Sequence, residues 1–492
     1  MFFGLFGGEK KRIAEMIAAA RSGDTEKIKQ LLSKGADINA PEPESGDTPL
    51  LAAIDKHQWA AAEHLLKQGP DLSLEDKNGN SPLYLAVSRG DSALAMVNLL
   101  LKAGAPVNLL SPAGYTPLYI AAGFGDAGMT ITELLLAAGA QLELGPLDGD
   151  GGDSTALYVA ASRGGLQLSR RLLAAGASSA VRIKDGSTLL HAAAMGGNAE
   201  VVRIFAGLGV PVGLARNDGI TPLHVAAISG QADAAAALID LGAALELFDG
   251  QGRTPLMAAA FNDRPAVVKL LLARGAKLDV ALYVEGTPLF PLFIAAMDGY
   301  HEVVRVLLEA GAAVDFPGSE GMTPLMSAVL SNHAEVVRVL LDHGADPEVS
   351  AKGTLLQPLL VAALNGHGEV VRVLLDKGAK GEQRVGSMLG MDADDLRELD
   401  GVPSAVDSGH NGHEVTAQPI SVFMKIKMAI STANVWPASK VPTINYTEEQ
   451  TARLVSAYQE GASVEELAAE MGKSIRSVIA KLSREGVYQS RF

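Results

Sequence analysis

A three-residue phrase returns down most of this chain at a nearly constant interval, and no other feature restricts its fold as tightly. Thr48-Pro49-Leu50, Ser81-Pro82-Leu83, Thr116-Pro117-Leu118, Thr155-Ala156-Leu157 and Thr188-Leu189-Leu190 are the first five copies. Thr221-Pro222-Leu223, Thr254-Pro255-Leu256, Phe290-Pro291-Leu292, Thr323-Pro324-Leu325 and Gln357-Pro358-Leu359 are the second five. Their middle residues are separated by 33, 35, 39, 33, 33, 33, 36, 33 and 34 positions. A period in this range marks stacked supersecondary units, each burying its apolar face on its neighbours. A chain of 492 residues exceeds what one compact core serves, and stacking removes that limit. It also favours a long binding surface over a catalytic pocket.

The residues of one unit predict two short helices. In the stretch from Gly219 to Gly230, Thr221 is a good N-cap, because its hydroxyl accepts from an otherwise unpaired helix N–H. Pro222 follows at the first helical position, where no N–H is needed. Leu223, Ala226 and Ala227 give one apolar face, and Gly230 ends the helix. The second helix is clearest in Glu302–Ala312 and its twins Glu335–Ala345 and Glu369–Ala379. There Val and Leu recur at helical spacing and a glycine supplies the stop. Aromatic residues make up only 5% of the chain, so the core is predicted to be Ala and Leu packed in thin layers.

Composition narrows function further. The chain has no cysteine, which removes disulfides and thiolate metal sites and fits a cytoplasmic location. No run approaches the roughly 18 apolar residues of a membrane span. Met1–Gly8 is apolar but is followed by Glu9-Lys10-Lys11-Arg12, the reverse of a signal peptide's charge order. Residues 1–10 are therefore expected to be a loose tag, with contact to a membrane surface as the alternative. Residues 1–380 carry 30 Lys/Arg against 41 Asp/Glu, an acidic body that repels nucleic acid at long range.

The repeated unit resembles the ankyrin repeat family, with its turn, TPLH-type first helix, EVV-LL-type second helix and GAD-N turn. The resemblance covers residues ~11–380 and implies an all-α ankyrin-repeat solenoid of about ten repeats after an N-terminal half repeat, Ile13–Arg21 with Thr25–Ser33. Three departures stand out. Ala156 and Leu189 replace the usual proline, the 39-residue gap is expected to hold a lengthened hairpin tip at residues 145–153, and repeat eight carries an extra Thr287-Pro288-Leu289. The last second helix has no polar outer face, so an apolar lid at Ser387–Leu399 is expected to cover it.

The resemblance further implies that a protein partner meets the hairpin tips and the concave face of the first helices. The two positions after each Ala-Ala pair fall on that face. In the early repeats they hold mostly polar residues, with Phe124 as the exception. From repeat five onward the first of the pair is apolar: Met195, Ile228 and Phe261, then Met297, Leu330 and Leu364. Two readings follow. They form one exposed binding stripe with Phe124, or they half-bury against neighbouring repeats.

Features that suggest chemistry fit the repeat better. His191 and His224 occupy the TPLH slot, and His301, His333 and His367 precede second helices, so hydrogen bonding between repeats is expected of them. Asp148, Asp150 and Asp153 mimic a calcium loop, but the twelfth position is Val159 and not the required Glu. His410 and His413 lack further ligands nearby, and Gly472-Lys473-Ser474 lacks the upstream glycine of a phosphate loop. No cofactor and no metal are expected, and the chain is not expected to be an enzyme.

Residues 381–445 change character and are predicted to be a capping segment and linker, acidic at first and then rich in Pro, Ser and Gly. From Tyr446 order returns. Thr447 to Gln450 and Ser463 to Glu466 are capping boxes, and Ser474 caps a third helix. Three short helices with Gly stops predict a small helix-turn-helix domain over 446–492. This segment resembles homeodomain-like DNA-binding modules, including GcrA-type bacterial regulators and small phage proteins. The resemblance implies that the third helix enters the major groove of double-stranded DNA, with Lys473 and Arg476 at base edges and Ser474, Ser477, Lys481 and Arg484 at phosphates or sugars. Against it, the module carries 6 Lys/Arg and 7 Asp/Glu. The expected function is a non-enzymatic ankyrin adaptor with a DNA-binding module, a bacterial or phage regulator. The alternative is a pure protein-interaction or inhibitor protein whose C-terminal module leaves DNA alone.

Overall fold

Each Thr-Pro-Leu phrase begins a helix, for the reasons its residues supply. The structure is a computed structural model that describes residues 3–145, 154–284, 287–316, 318, 321–350 and 357–389. The ten first helices are Pro49–Asp55, Pro82–Ser88, Pro117–Ala122, Ala156–Ser162, Leu189–Gly196, Pro222–Ser229, Pro255–Phe261, Pro291–Asp298, Pro324–Leu330 and Pro358–Leu364. Where Thr or Ser precedes them, the hydroxyl accepts from a backbone N–H in the first turn: Tyr119 N–H to Thr116 Oγ1 at 3.1 Å, Tyr84 N–H to Ser81 Oγ at 3.2 Å. A second helix of eight or nine residues follows each, from Trp59–Leu66 to Gly368–Asp376.

First helices pack on the first helices of neighbouring repeats, and second helices do the same. The Ala pairs make the close approach possible. Ala121, Ala122, Ala160, Ala161, Ala226 and Ala227 are fully buried. Several of the turns after second helices are tied to the next turn by side chains. Asn39 Oδ1 accepts from Asp71 N–H at 2.9 Å, Asn108 Oδ1 from Gln141 N–H at 2.8 Å and Glu246 Oε1 from Lys277 N–H at 2.9 Å.

Four expectations change in detail. The first helix runs Phe3–Ser22, so the apolar start is continuous with the helix that pairs with Thr25–Ser33 and is not a separate tag. The fold is not purely helical: Leu282–Val284 and Thr287–Leu289 form an antiparallel hairpin in repeat eight. The extra Thr-Pro-Leu copy supplies its second strand, and the opposed Leu282 and Leu289 are buried. The intervals of 35 and 39 each contain a 3₁₀ turn between the two helices, Gly90–Ala93 and Gly125–Gly128. The surplus of the 39-residue interval is therefore shared between that turn and the segment after the second helix, of which residues 146–153 lie outside the described residues. Finally, a helix at Glu382–Leu389 packs on Pro358–Leu364 with Val385 buried. The cover of the last repeat thus starts ahead of Ser387; residues 390–492 lie outside the described residues, with the rest of the expected lid, the linker and the helix-turn-helix module.

One irregularity in the core carries a prediction. Val97, Val202, Val268, Val304, Val337 and Val371 occupy one inward position of the second helix. Repeats three and four place Thr132 and Ser169 there, fully buried, and neither hydroxyl has a hydrogen-bond partner. An unpaired buried hydroxyl costs on the order of 1–3 kcal/mol. Thr132→Val and Ser169→Ala are each expected to raise the unfolding free energy by about 1 kcal/mol, read from urea denaturation. Midpoints that do not rise would refute the unpaired assignment.

Candidate protein-binding surface

The inner end of each first helix decides what this stack presents to a partner. In the early repeats it is polar and partly paired. Arg89 reaches back one repeat to Asp55, with Nη2 2.6 Å from Oδ1. Lys56, hydrogen-bonded to Asp55, and Arg89 beside it hold that carboxyl below the usual range against the opposing effect of burial. Phe124 is 41% exposed. Its ring edge lies over the backbone of Gly90 in the preceding repeat, where a Cβ would meet Phe124 Cζ at 3.8 Å. On the other side, the exposed Arg163 of the following repeat packs its Cβ against Gly125.

The late repeats correct the expected exposed stripe. Ile228 is 9% exposed, Phe261 4% and Met297 0%. Met195, Leu330 and Leu364 are half-buried. The backbone at this position is anchored to the next repeat, which turns the side chains inward. Gln231 Nε2 donates to Met195 O at 3.2 Å, and Arg264 Nε to Ile228 O at 2.9 Å. His333 Nε2 lies 3.1 Å from Met297 O. Phe261 is also covered by Arg253, whose guanidinium carbon sits 6.0 Å from the ring centroid. Of the seven apolar residues read as a partner stripe, only Phe124 is widely exposed.

Residues that the repeat reading passed over present more apolar surface. Leu208 is 50% exposed and Leu241 41%, each just after a second helix. Other repeats place Lys34, Lys67, Arg274, His343 or Lys377 there, so the substitution was visible in the alignment of copies. Phe248, 56% exposed, and Leu247 sit on the hairpin that follows.

Four of the five histidines bridge repeats as expected; His301 instead is exposed, with Nε2 3.6 Å from Glu302 Oε1 in its own helix. His191 and His224 are 1% and 0% exposed. The Nε2 of His191 lies 3.0 Å from Ile220 O, and that of His224 2.9 Å from Arg253 O, both in the next repeat. His367 Nδ1 bridges to Val329 O at 2.9 Å. Repeats two to four solve the same problem differently. Tyr84, Tyr119 and Tyr158 replace His and hydrogen-bond Ser111, Ser154 and Ser187 of the next repeat. Burial pushes the Tyr158 phenol up to about 12. The sequence held this ladder, but only as a Tyr in the His slot whose partner lay a repeat away.

No group of three or more His, Asp or Glu side chains is placed to hold a metal ion among the described residues. None of the described helices is long and apolar enough to cross a membrane. Asp148, Asp150, Asp153, His410 and His413 lie outside the described residues, as do Lys473, Ser474, Arg476, Ser477, Lys481 and Arg484.

Comparison with family models agrees with this architecture. A family model described as ankyrin repeats (3 copies) matches residues 16–111, 91–182, 170–249, 190–281 and 284–351. Human 2-5A-dependent ribonuclease is 38% identical over 79 residues, which are 16% of this chain and 11% of that protein. Human ankyrin repeat and KH domain-containing protein 1 is 39% identical over 74 residues, 15% of this chain and 3% of that protein. Human ARF GTPase-activating protein GIT1 is 37% identical over 81 residues, 16% of this chain and 11% of that protein. The chain thus spans a small fraction of the curated relatives it matches. The crystal structure of the human ASB11 ankyrin repeat domain superposes with a TM-score of 0.38 at 27% identity, covering 44% of this chain and 100% of that one.

Proposed function

This chain belongs to the ankyrin repeat family, and from that premise we propose that it is a non-enzymatic adaptor that binds a partner protein across the inner face of repeats two to four. The observation that carries this reading is Phe124, exposed between the Gly90 loop and Arg163, while the inner apolar residues of the middle repeats are turned inward. An exposed aromatic side chain flanked by cationic residues has the composition of an interface anchor. The test is capture of partners by the intact protein and by Phe124→Asp combined with Arg163→Glu. Loss of captured protein with an unchanged melting curve is expected, and identical capture would refute the assignment.

The proposal extends to residues 446–492 as a DNA-binding module, supported by the cationic face that Lys473, Arg476, Lys481 and Arg484 give the expected third helix. The intact chain should then bind duplex DNA with an affinity that falls steeply with salt. Arg476→Ala and Lys481→Ala should abolish it. No binding in low salt would leave the pure interaction protein as the reading.

A further inference from the structure

Repeat eight departs from the pattern at its most regular point. Nine of the ten first helices are preceded by Thr, Ser or Gln; this one is preceded by Phe290, which makes no side-chain cap. Loss of such a cap costs roughly 1 kcal/mol. The phenyl ring faces Phe316 of the next hairpin, with centroids 4.3 Å apart, and Phe316 is 42% exposed. Around this pair lies an open cavity of about 270 Å³, walled by Leu278, Pro288, Phe290, Phe293 and Phe316. Pro288 comes from the inserted hairpin, so the duplicated Thr-Pro-Leu segment builds one wall. The remaining charged group in the lining is Asp279, exposed and without an ion pair to any described residue.

We propose that this cavity docks one bulky apolar side chain, flanked by lysine or arginine, from a peptide segment of a partner protein. The inference rests on the protein-binding reading but concerns a different surface from Phe124. A volume near 270 Å³ admits a single large side chain and falls below the roughly 300–1,000 Å³ of small-molecule sites. Three phenyl groups and three prolines select an apolar occupant. Asp279, on a body with 41 acidic against 30 basic residues in positions 1–380, selects cationic flanks.

The test titrates the full chain with three peptides: acetyl-Lys-Trp-Lys-amide, acetyl-Lys-Ala-Lys-amide and acetyl-Glu-Trp-Glu-amide, followed by saturation-transfer NMR. The Lys-Trp-Lys peptide should bind saturably, the Lys-Ala-Lys peptide should not, and the Glu-Trp-Glu peptide should bind about fivefold more weakly. Asp279→Asn should remove the difference between the two Trp peptides. Ala313→Trp adds bulk at an exposed lining position without deleting a buried contact, and should abolish binding at an unchanged melting temperature. Equal binding of all three peptides, or full binding to Ala313→Trp, would overturn the proposal. A dimer of the chain that Ala313→Trp dissociates would assign the cavity to a second copy instead. Failure of every peptide, with partner capture still dependent on Phe124, sinks this inference alone.

Discussion

Replacing Gly196 by valine is expected to break the stack between its fourth and fifth repeats. A Cβ at Gly196 would lie 2.3 Å from Ala161 O, 2.4 Å from Gly164 N and 2.9 Å from Gly164 Cα. All three atoms are backbone, so no side-chain rotation relieves the contact. Gly164 is bound by the same approach from the other side, since its own Cβ would meet Gly196 O at 2.6 Å, and its φ of +68° already favours glycine. Ordinary overpacking costs about 1–3 kcal/mol, and a contact that two backbones must separate to relieve is expected to cost more, on the order of 4 kcal/mol. In a solenoid the stability is carried by nearest-neighbour interfaces. The loss should therefore divide urea unfolding into two transitions, one for each side of the seam. Gly213→Val is the control, because nothing lies within 4 Å of its Cβ position. A single transition at the wild-type midpoint in Gly196→Val would show that the repeats can part at little cost.

That seam illustrates what the sequence made legible and what it did not. The caps, stops and period follow from local chemistry, so Thr116, Pro117 and the positive-φ Gly230 could be read without coordinates. The same reading extends to His191 and His224, whose slot recurs at the repeat spacing. The candidate surface was harder because exposure depends on the neighbouring repeat. Met297 sits at a position whose register suggests a partner-facing side chain, but His333 anchors its carbonyl and the side chain is wholly buried. Nothing within repeat eight alone announces that. The cavity beside Phe316 has the same origin. It needs an inserted strand, a missing cap and an aromatic residue from the next hairpin, three departures that look unrelated until packing brings them together.

Lowering the pH from neutrality toward 4 is expected to weaken the middle of the stack through its buried histidines. Thr188 N–H donates to His191 Nδ1 at 3.1 Å, which leaves the proton on Nε2 to donate to Ile220 O. His224 repeats the arrangement with Thr221 N–H at 3.3 Å and Arg253 O at 2.9 Å. A second proton on either ring would point at an N–H donor in a site closed to water. Burial accordingly pushes His191 down from 6.5 to about 4, against the hydrogen bond to Ile220, with Arg216 adding to the downward shift and Asp185 and Asp218 opposing it. Burial lowers His224 as well, while the Arg253 carbonyl and Asp249 oppose the shift and Arg253 reinforces it. The unfolded chain binds these protons near 6.5 and the folded chain does not. Stability is therefore complete above that value and falls as the pH drops to about 4, by roughly 3 kcal/mol for His191. His191→Gln cannot titrate. It should be less stable than the wild type at pH 7 and lose less between pH 6.5 and 4, as read from thermal melts. The same slope in both proteins would place the acid sensitivity in other groups and leave the histidine ladder without a role in it.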